Sequence, residues 1–486
     1  MRTKRRGMKL LGLAATLAVS ACTAAPMEGL GGGAGATAGG AQDIALARQV
    51  IESGGIPTAD QYTVEGLYAE HDMPLPAPAC SRTLCINGRG GANTFVDDDA
   101  TDAIVQIGFS SGINAATFQR KPLNLSLVVD ISGSMAGDKI ERTRDALHRI
   151  VDRMNEGDRL ALTIFDDNSQ VLRGPDPVTD HDSIHTLIDD HVHDRGSTNM
   201  AAGLSDGYAQ AALHRGQPGI LDRVILITDA VPNTGMMSDE EFINQATQNA
   251  EAGVGLTVFG VGTDFNNELV YKITHLRGGN YYFIADAPRL TQVVDEEFDF
   301  MVTPVAYDLR LEITPAEGLQ MKRVYGLPED AVTNGGMTLE VATVFLSKRK
   351  GGMALRLDVV GGLDDEAAML VSSLAYTDAA TGEAQESALQ VMGDARRLGS
   401  NPEAAPEDPA GIERIASLTN MFLAMREASE FAATPTDENR QDASDAITKA
   451  ISQLQRVSTS VNDPTLSTEA QLLEKLKQNV AAARGQ

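Results

Sequence analysis

Between residues 122 and 303 short apolar runs alternate with amphipathic stretches, and this alternation restricts the fold more than any other property of the chain. Leu123–Asp130 (LNLSLVVD), Arg159–Phe165 (RLALTIF), Arg223–Asp229 (RVILITD), Gly255–Val261 (GLTVFGV) and Tyr281–Ala285 read as buried strands. Between them, Lys139–Met154 sets Ile140, Leu147, Ile150, Val151 and Met154 on one face at helical spacing. Ser183–Asp190, Met200–His214, Ser238–Ala252, Asn267–Arg277 and Arg289–Met301 read as further helices, and Ser238 with Glu241 has the spacing of a capping box. Strands alternating with helices predict an α/β unit with a parallel, doubly wound sheet covered on both faces.

In such a sheet ligands bind beyond the carboxyl ends of the strands. Two of these strands end in aspartate, Asp130 and Asp229. The first continues as Asp130-Ile131-Ser132-Gly133-Ser134, so alternate residues present oxygen groups from one loop, and Gly133 lets the turn tighten. A second loop, Gly196-Ser197-Thr198, precedes a helix and can add the Thr198 hydroxyl. Three hydroxyls and two carboxylates suit a hard divalent cation, Mg2+ first, with Mn2+ and Ca2+ as alternatives. With three neutral hydroxyls and only two carboxylates in the set, the ion's free position favours an anionic oxygen from outside the chain.

D-x-S-x-S after the first strand, a Thr-bearing loop about sixty residues on, and I-T-D ending a later strand resemble the von Willebrand factor type A (VWA) family over about residues 122–303. The resemblance implies a Rossmann-like VWA domain with a metal-ion-dependent adhesion site. Asp130, Ser132, Ser134, Thr198 and Asp229 would bind one divalent cation, some directly and some through water, and a partner protein's Glu or Asp would complete the shell. The chain departs from the family at Ala230, where glycine often follows the last aspartate; this touches loop shape and removes no ligand.

The texture changes on either side. After Val305, apolar and polar residues alternate through Tyr307–Ile313 and Met353–Val359, with Leu339–Leu346 and Met369–Tyr376 as further strands and Asn334-Gly335 and Thr381-Gly382 as turns. Residues 304–400 therefore read as an antiparallel, β-sandwich-like unit, and 401–486 as a helical region with stretches near Ile412–Ala432, Asp437–Val457 and Ser467–Ala483. Residues 61–121 contain a strand near Ala103–Phe109. Because domain ends tend to lie close together, the segment at 103–118 is expected to pair with the later strands, making the VWA unit an insertion.

The amino terminus reads as an address. A basic segment, Met1–Lys9, precedes the apolar run Leu10–Val19, which is too short to span a bilayer. Val19-Ser20-Ala21-Cys22 resembles a bacterial lipobox, implying a signal peptide over 1–21, acylation of Cys22 and a membrane anchor. Thr23, rather than Asp, points by analogy to the outer membrane of the cell envelope. Residues 22–60, Gly- and Ala-rich through Met27–Gln42, read as a flexible tether. Similar bacterial surface lipoproteins set a VWA domain beside a β-sandwich. Cys80 and Cys85 are then the remaining sulfurs; four residues between them permit a disulfide loop in an oxidising compartment, and without nearby histidines they make a poor zinc site.

Loss of residues 1–21, with five basic residues and no acid, takes the net charge from −27 to −32. That surface repels phosphate backbones, and no basic stripe points to nucleic acid. No H-E-x-x-H or G-x-x-x-x-G-K-[ST] occurs, so the chain lacks these metalloprotease and nucleotide signatures. His191-Val192-His193, together with His181 and His185, reads as solvated loop and helix surface, and Asp97-Asp98-Asp99 with Asp102 as an acidic turn rather than a calcium site.

Overall fold

The computed structural model describes residues 33–38, 44–73, 75, 80–229, 238–261, 272, 276–284, 287–326, 332–333, 336–349, 351–361, 368–392 and 410–483. Residues 1–32 with Cys22, Ala230, the linker at 401–409 and most of the helix expected at 267–277 lie outside the described residues.

The chain enters through strand β1 (Gly33–Ala38), helices α1 (Ala45–Glu52) and α2 (Val64–Ala69), and strands β2 (Cys85–Thr94) and β3 (Thr101–Asn114). The α/β unit follows: β4 (Leu123–Asp130), α3 (Asp138–Asp152), β5 (Arg159–Phe165), β6 (Ser169–Pro177), α4 (His181–His191), α5 (Met200–Ala212), β7 (Leu221–Thr228), α6 (Asp239–Glu251), β8 (Gly255–Val261), β9 (Asn280–Ile284), α7 (Ala287–Leu290) and α8 (Phe298–Met301). Its sheet runs β6-β5-β4-β7-β8-β9, parallel except for β6. Every residue of β4 is buried because helices cover both faces. Leu123, Leu125, Leu127 and Val129 pack with Ile140, Leu147 and Ile150 of α3 and Ile184 and Ile188 of α4, whereas Val128 packs with Leu204 and Tyr208 of α5 and Phe242 of α6. Edge strand β6 escapes the sequence pattern: it is only partly buried and contains Gly174-Pro175, tolerated only where a ladder bond is dispensable.

Helix α5 approaches β4 closely at Gly207, where an added Cβ would lie 2.1 Å from Val128 Cγ2. Alanine is the better helix former by about 1 kcal/mol, but Val128 is a rigid, fully buried neighbour and overpacking costs roughly 1–3 kcal/mol. Gly207→Ala is therefore expected to lower stability in denaturant titration; an unchanged midpoint would contradict the packing argument.

The second sheet contains β10 (Pro304–Pro315), β11 (Leu319–Tyr325), β12 (Val332–Thr333), β13 (Gly336–Ser347), β14 (Gly352–Val359), β15 (Ala368–Asp378) and β16 (Ala384–Met392). Its order is β11-β14-β3-β1-β13-β10-β15-β16, antiparallel throughout, with β2 on β3 and β12 on β13. Ile107 faces Met353 and Val105 faces Leu355, so β3, before the α/β unit, pairs with β14 after it, and the unit is inserted into this sheet.

Two segments differ from the sequence reading. The tether expected over 22–60 is replaced at 33–38 by β1, wedged between β3 and β13, with Ala34 and Ala36 buried. The small side chains that suggested a flexible chain let it slip into a narrow slot in the sheet. Residues 44–60 are packed as well: the helical patch that the sequence shows at Asp43–Ser53 forms α1, and Ile44, Ala47 and Ile51 lie in a core. Strand β2 (CINGRGGANT) was obscured by its glycines, yet an added Cβ at Gly88 would meet Val391 Cγ2 at 2.4 Å and one at Gly90 would meet Met369 Sδ at 2.0 Å. Ahead of it Cys80 and Cys85 are joined by a disulfide.

The carboxyl-terminal helices α9 (Ala410–Ala433), α10 (Asp437–Ser460) and α11 (Pro464–Ala482) share one core with α1 and α2 and with Phe95, Ile104 and Ala354 of the β unit. Charge joins the two chain ends: Arg48 of α1 pairs with Glu70 and, at 2.6 Å, with Glu469 of α11, which also meets His71 Nε2 at 3.1 Å. Glu70, His71 and Glu469 have metal-ligand spacing, but the Arg48 guanidinium already supplies their cation.

Candidate metal centre

Strands β4 and β7 are parallel neighbours in the middle of the α/β sheet, with Val129 opposite Ile227. From β4 the strand order turns to β5 on one side and β7 on the other, so their carboxyl ends form the crevice where open α/β sheets bind ligands. Asp130 and Asp229 stand there. Asp130 is fully buried; its Oδ1 accepts the Ser132 N–H at 2.9 Å and its Oδ2 accepts the Thr228 hydroxyl at 2.6 Å. Ser132 Oγ lies 3.0 Å from Ser134 Oγ, and the Ser134 hydroxyl donates to Asp229 Oδ1 at 2.8 Å. Four of the five residues singled out by the motif thus meet in one hydrogen-bonded chain, Asp130 joining it through the Ser132 N–H.

Thr198 stands on the adjoining loop, half-buried. That loop is fastened to the first: Gly133 N–H donates to the Gly196 carbonyl at 3.1 Å and Arg195 N–H to the Ile131 carbonyl at 2.6 Å. Gly196 has φ +66°, a left-handed conformation suited to glycine, and an added Cβ would lie 2.7 Å from Asp167 Oδ2.

Sequence reasoning passed over three residues here. Asp166 and Asp167, directly after β5, position the Thr198 loop: Asp166 Oδ2 accepts from Arg195 Nε at 2.6 Å, Asp167 Oδ1 accepts from the Ser197 hydroxyl, and the Asp167 carbonyl accepts from Asn199 Nδ2 at 3.2 Å. Their signal was a third strand running into acids at the same sheet edge. Lys139, the second residue of α3, sets Nζ 2.5 Å from Asp229 Oδ2, and no motif flags it.

Electrostatics fit a cation. Burial pushes the Asp130 carboxyl up to about 6; the Thr228 and Ser132 hydrogen bonds oppose the rise and the Asp229 charge adds to it. A buried carboxylate beside a second one gains from a positive ion, and the donor set is all oxygen, as hard divalent cations require. Asp130, Ser132, Ser134 and Asp229, with Thr198 from the second loop, are the residues that would hold it. Two carboxylates and the Lys139 ammonium sum to −1, so a divalent ion would bring the cluster to +1.

The other sequence candidates fall elsewhere. Asp97, Asp98 and Asp102 surround the buried Arg356 guanidinium, with Lys322 beside Asp98 and Asp102, so cationic side chains fill the acidic turn. His193 is exposed and His191 ends α4. His185 is not simply solvated: it faces His148 of α3, a residue no sequence pattern marked.

Residues 124–296 match the family model of the von Willebrand factor type A domain. The solved structure of a von Willebrand factor type A protein from Catenulispora acidiphila superposes with a TM-score of 0.50 at 14% identity, covering 85% of this chain and 99% of that one. At that identity the fold is what is shared. The α/β unit is therefore a VWA domain, set in a chain with a flanking antiparallel sheet and carboxyl-terminal helices. Among curated proteins, the chain is similar to the uncharacterized protein YfbK of Escherichia coli (strain K12), 29% identical over 192 residues, 39% of this chain and 33% of that protein. It is also 32% identical to human inter-alpha-trypsin inhibitor heavy chain H3 over 161 residues, 31% of this chain and 17% of that protein. The match thus spans a third or less of either relative's length.

Proposed function

We propose that this chain is a lipid-anchored protein of the bacterial cell envelope whose VWA domain uses a divalent cation, Mg2+ first, to capture an acidic side chain of a partner protein. The observation that carries the reading is the hydrogen-bonded chain from Asp130 through Ser132 and Ser134 to Asp229, with Lys139 beside it. Asp130, Ser132, Ser134, Thr198 and Asp229 would hold the ion, which when bound would offer an electrophilic position to an incoming carboxylate oxygen. The +1 balance at the loaded site favours an anion over a neutral oxygen. Among the described residues no histidine or further acid is hydrogen-bonded to Ser132 or Ser134 so as to activate a serine or a water, which favours docking over hydrolysis. The VWA match and the inter-alpha-trypsin inhibitor relatives support interaction as the general role. Anchoring rests on the lipobox at Cys22, with the outer membrane favoured by Thr23.

Magnesium titration by calorimetry, paired with a pull-down from envelope extract, tests the reading. Wild type is expected to take up one equivalent of Mg2+ and to recover its partner only when the ion is present. Asp130→Ala is expected to lose both while retaining its fold by circular dichroism. Partner recovery that persists in EDTA would overturn metal-dependent capture. A fall in melting temperature on chelation with unchanged recovery would favour a scaffold whose metal merely stiffens the loops. Cys22→Ser is expected to move the protein from the membrane to the soluble fraction.

A further inference from the structure

Away from the oxygen cluster, α3 and α4 lie side by side and present one histidine each to the other. The Nδ1 atoms of His148 and His185 are in direct contact. The ring planes differ by 17° and the ring centroids are 4.6 Å apart. Rings with that centroid separation bring two nitrogens into so short a contact only when they lie edge to edge, with both Nδ1 atoms on the line between them. The pair is therefore coplanar and head-on rather than face-stacked.

Each ring has a carboxylate behind it. His148 Nε2 lies 2.9 Å from Asp189 Oδ1, and His185 Nε2 lies 3.0 Å from Asp152 Oδ1. A carboxylate is an acceptor only, so both Nε2 atoms carry their hydrogens and donate. In neutral imidazoles that assignment leaves a lone pair on each Nδ1, and the two lone pairs point at one another. Such an arrangement repels unless a cation sits between them. A carboxylate on the far nitrogen is also the usual support of a metal-ligating histidine, fixing the tautomer and raising the basicity of the ligating nitrogen. The two imidazoles are about a quarter exposed, so ions can reach them from solvent.

We propose that His148 and His185 form a second cation site, distinct in chemistry from the first, that takes a borderline transition-metal ion such as Zn2+ or Ni2+ through their two Nδ1 atoms, with water in the remaining positions. Imidazole nitrogen suits these ions, as carboxylate and hydroxyl oxygen suit Mg2+, so the chain sorts two metals between two places. Binding moves the rings apart to admit the ion while Asp152 and Asp189 keep their orientation. The site also has a structural consequence. Helix α3 begins just after the loop bearing Ser132 and Ser134, and α4 ends just before the loop bearing Thr198. An ion between His148 and His185 ties together the two helices that lead out of one oxygen-ligand loop and into the other.

The test uses the full chain in excess Mg2+, with Zn2+ as the probe in calorimetry and Co2+ as a spectroscopic reporter, in wild type and in Asp130→Ala. One equivalent of Zn2+ is expected in both, because the nitrogen site does not depend on Asp130. His148→Gln and His185→Gln are each expected to weaken Zn2+ at least tenfold and to abolish the visible Co2+ bands, with metal-free melting curves like wild type. His191→Gln with His193→Gln should leave both readouts unchanged. Asp189→Asn is expected to weaken Zn2+ by roughly tenfold, the usual effect of losing a carboxylate behind a histidine ligand. Added Zn2+ should raise the melting temperature of wild type and not of the histidine variants, by mass action. Zn2+ uptake unchanged in His148→Gln, or no uptake by wild type with the two rings sharing a proton in nitrogen NMR, would overturn the proposal.

Discussion

Arg356→Met is expected to lower the stability of the protein by about 3–5 kcal/mol, the range found when one partner of a buried ion pair is removed. Arg356 is 1% exposed, and its guanidinium spreads over three carboxylates: Nε to Asp102 Oδ2 at 2.5 Å, Nη1 to Asp97 Oδ1 at 2.9 Å and Nη2 to Asp98 Oδ1 at 2.6 Å. It also lies 4.0 Å above the ring of Phe95, a contact methionine keeps only in its apolar part. The cost arises from what remains. Without Arg356, Lys322 stands alone against Asp98 and Asp102, and Asp97 has Arg323 only at 3.9 Å. Asp97 and Asp98 lie in the turn that closes β2 onto β3 and Asp102 in β3 itself, and Phe95 belongs to the core shared with the helical layer, so the loss reaches both sheet and helices. Denaturant unfolding measures it. Adding Asp102→Asn to Arg356→Met should recover part of the loss, because the burden is an unpaired buried charge; a change under about 1 kcal/mol for Arg356→Met alone would reject the argument.

That network also marks where the sequence was legible. Repeating patterns were readable: the buried strands Leu123–Asp130 and Gly255–Val261, the helices beginning at Met200 and at Asp239 under its Ser238 cap, and the three carboxyl-terminal helices. Periodicity survives because each of these elements buries a continuous face. The oxygen ligands were readable for a different reason. Asp130, Ser132 and Ser134 lie within five residues, and Asp229 ends a strand whose neighbour in the sheet is fixed by the alternating pattern. Contacts made across long sequence separations left no such trace. Asp97 reads as an acidic turn until Arg356 arrives from 259 residues away, and His148 meets His185 only because α3 and α4 share a sheet face. Gly33–Ala38 and Cys85–Thr94 were hidden by composition, since residues small enough to admit a neighbour's side chain carry little hydrophobic signal.

The same kind of long-range pairing sets the pH response of the helical layer. Glu469 of α11 is 4% exposed, and burial by itself pushes its carboxyl up. The hydrogen bond from His71 and the charge and hydrogen bonds of Arg48 more than reverse this and hold it at about 2, against an ordinary 4.5. A carboxyl depressed in the folded state stabilises fully above its unfolded value and ceases to do so as pH falls through its folded value. The contribution is therefore present above about pH 4.5 and is lost as pH falls through about 2, and a shift of that size corresponds to about 3 kcal/mol at neutral pH. Glu469→Gln is expected to remove this contribution, leaving Arg48 with Glu70 alone and His71 with Thr465, whose hydroxyl lies 3.3 Å from Nδ1. The difference in stability between wild type and variant should be largest at pH 7, fall to about half by pH 3 and vanish only below pH 2. Because Glu469 joins α11 to α1 and to the turn after α2, hydrogen exchange should report the loss first in the layer that unites the two chain ends. A difference that stayed constant from pH 7 to pH 3 would show that the glutamine acts through packing rather than through charge.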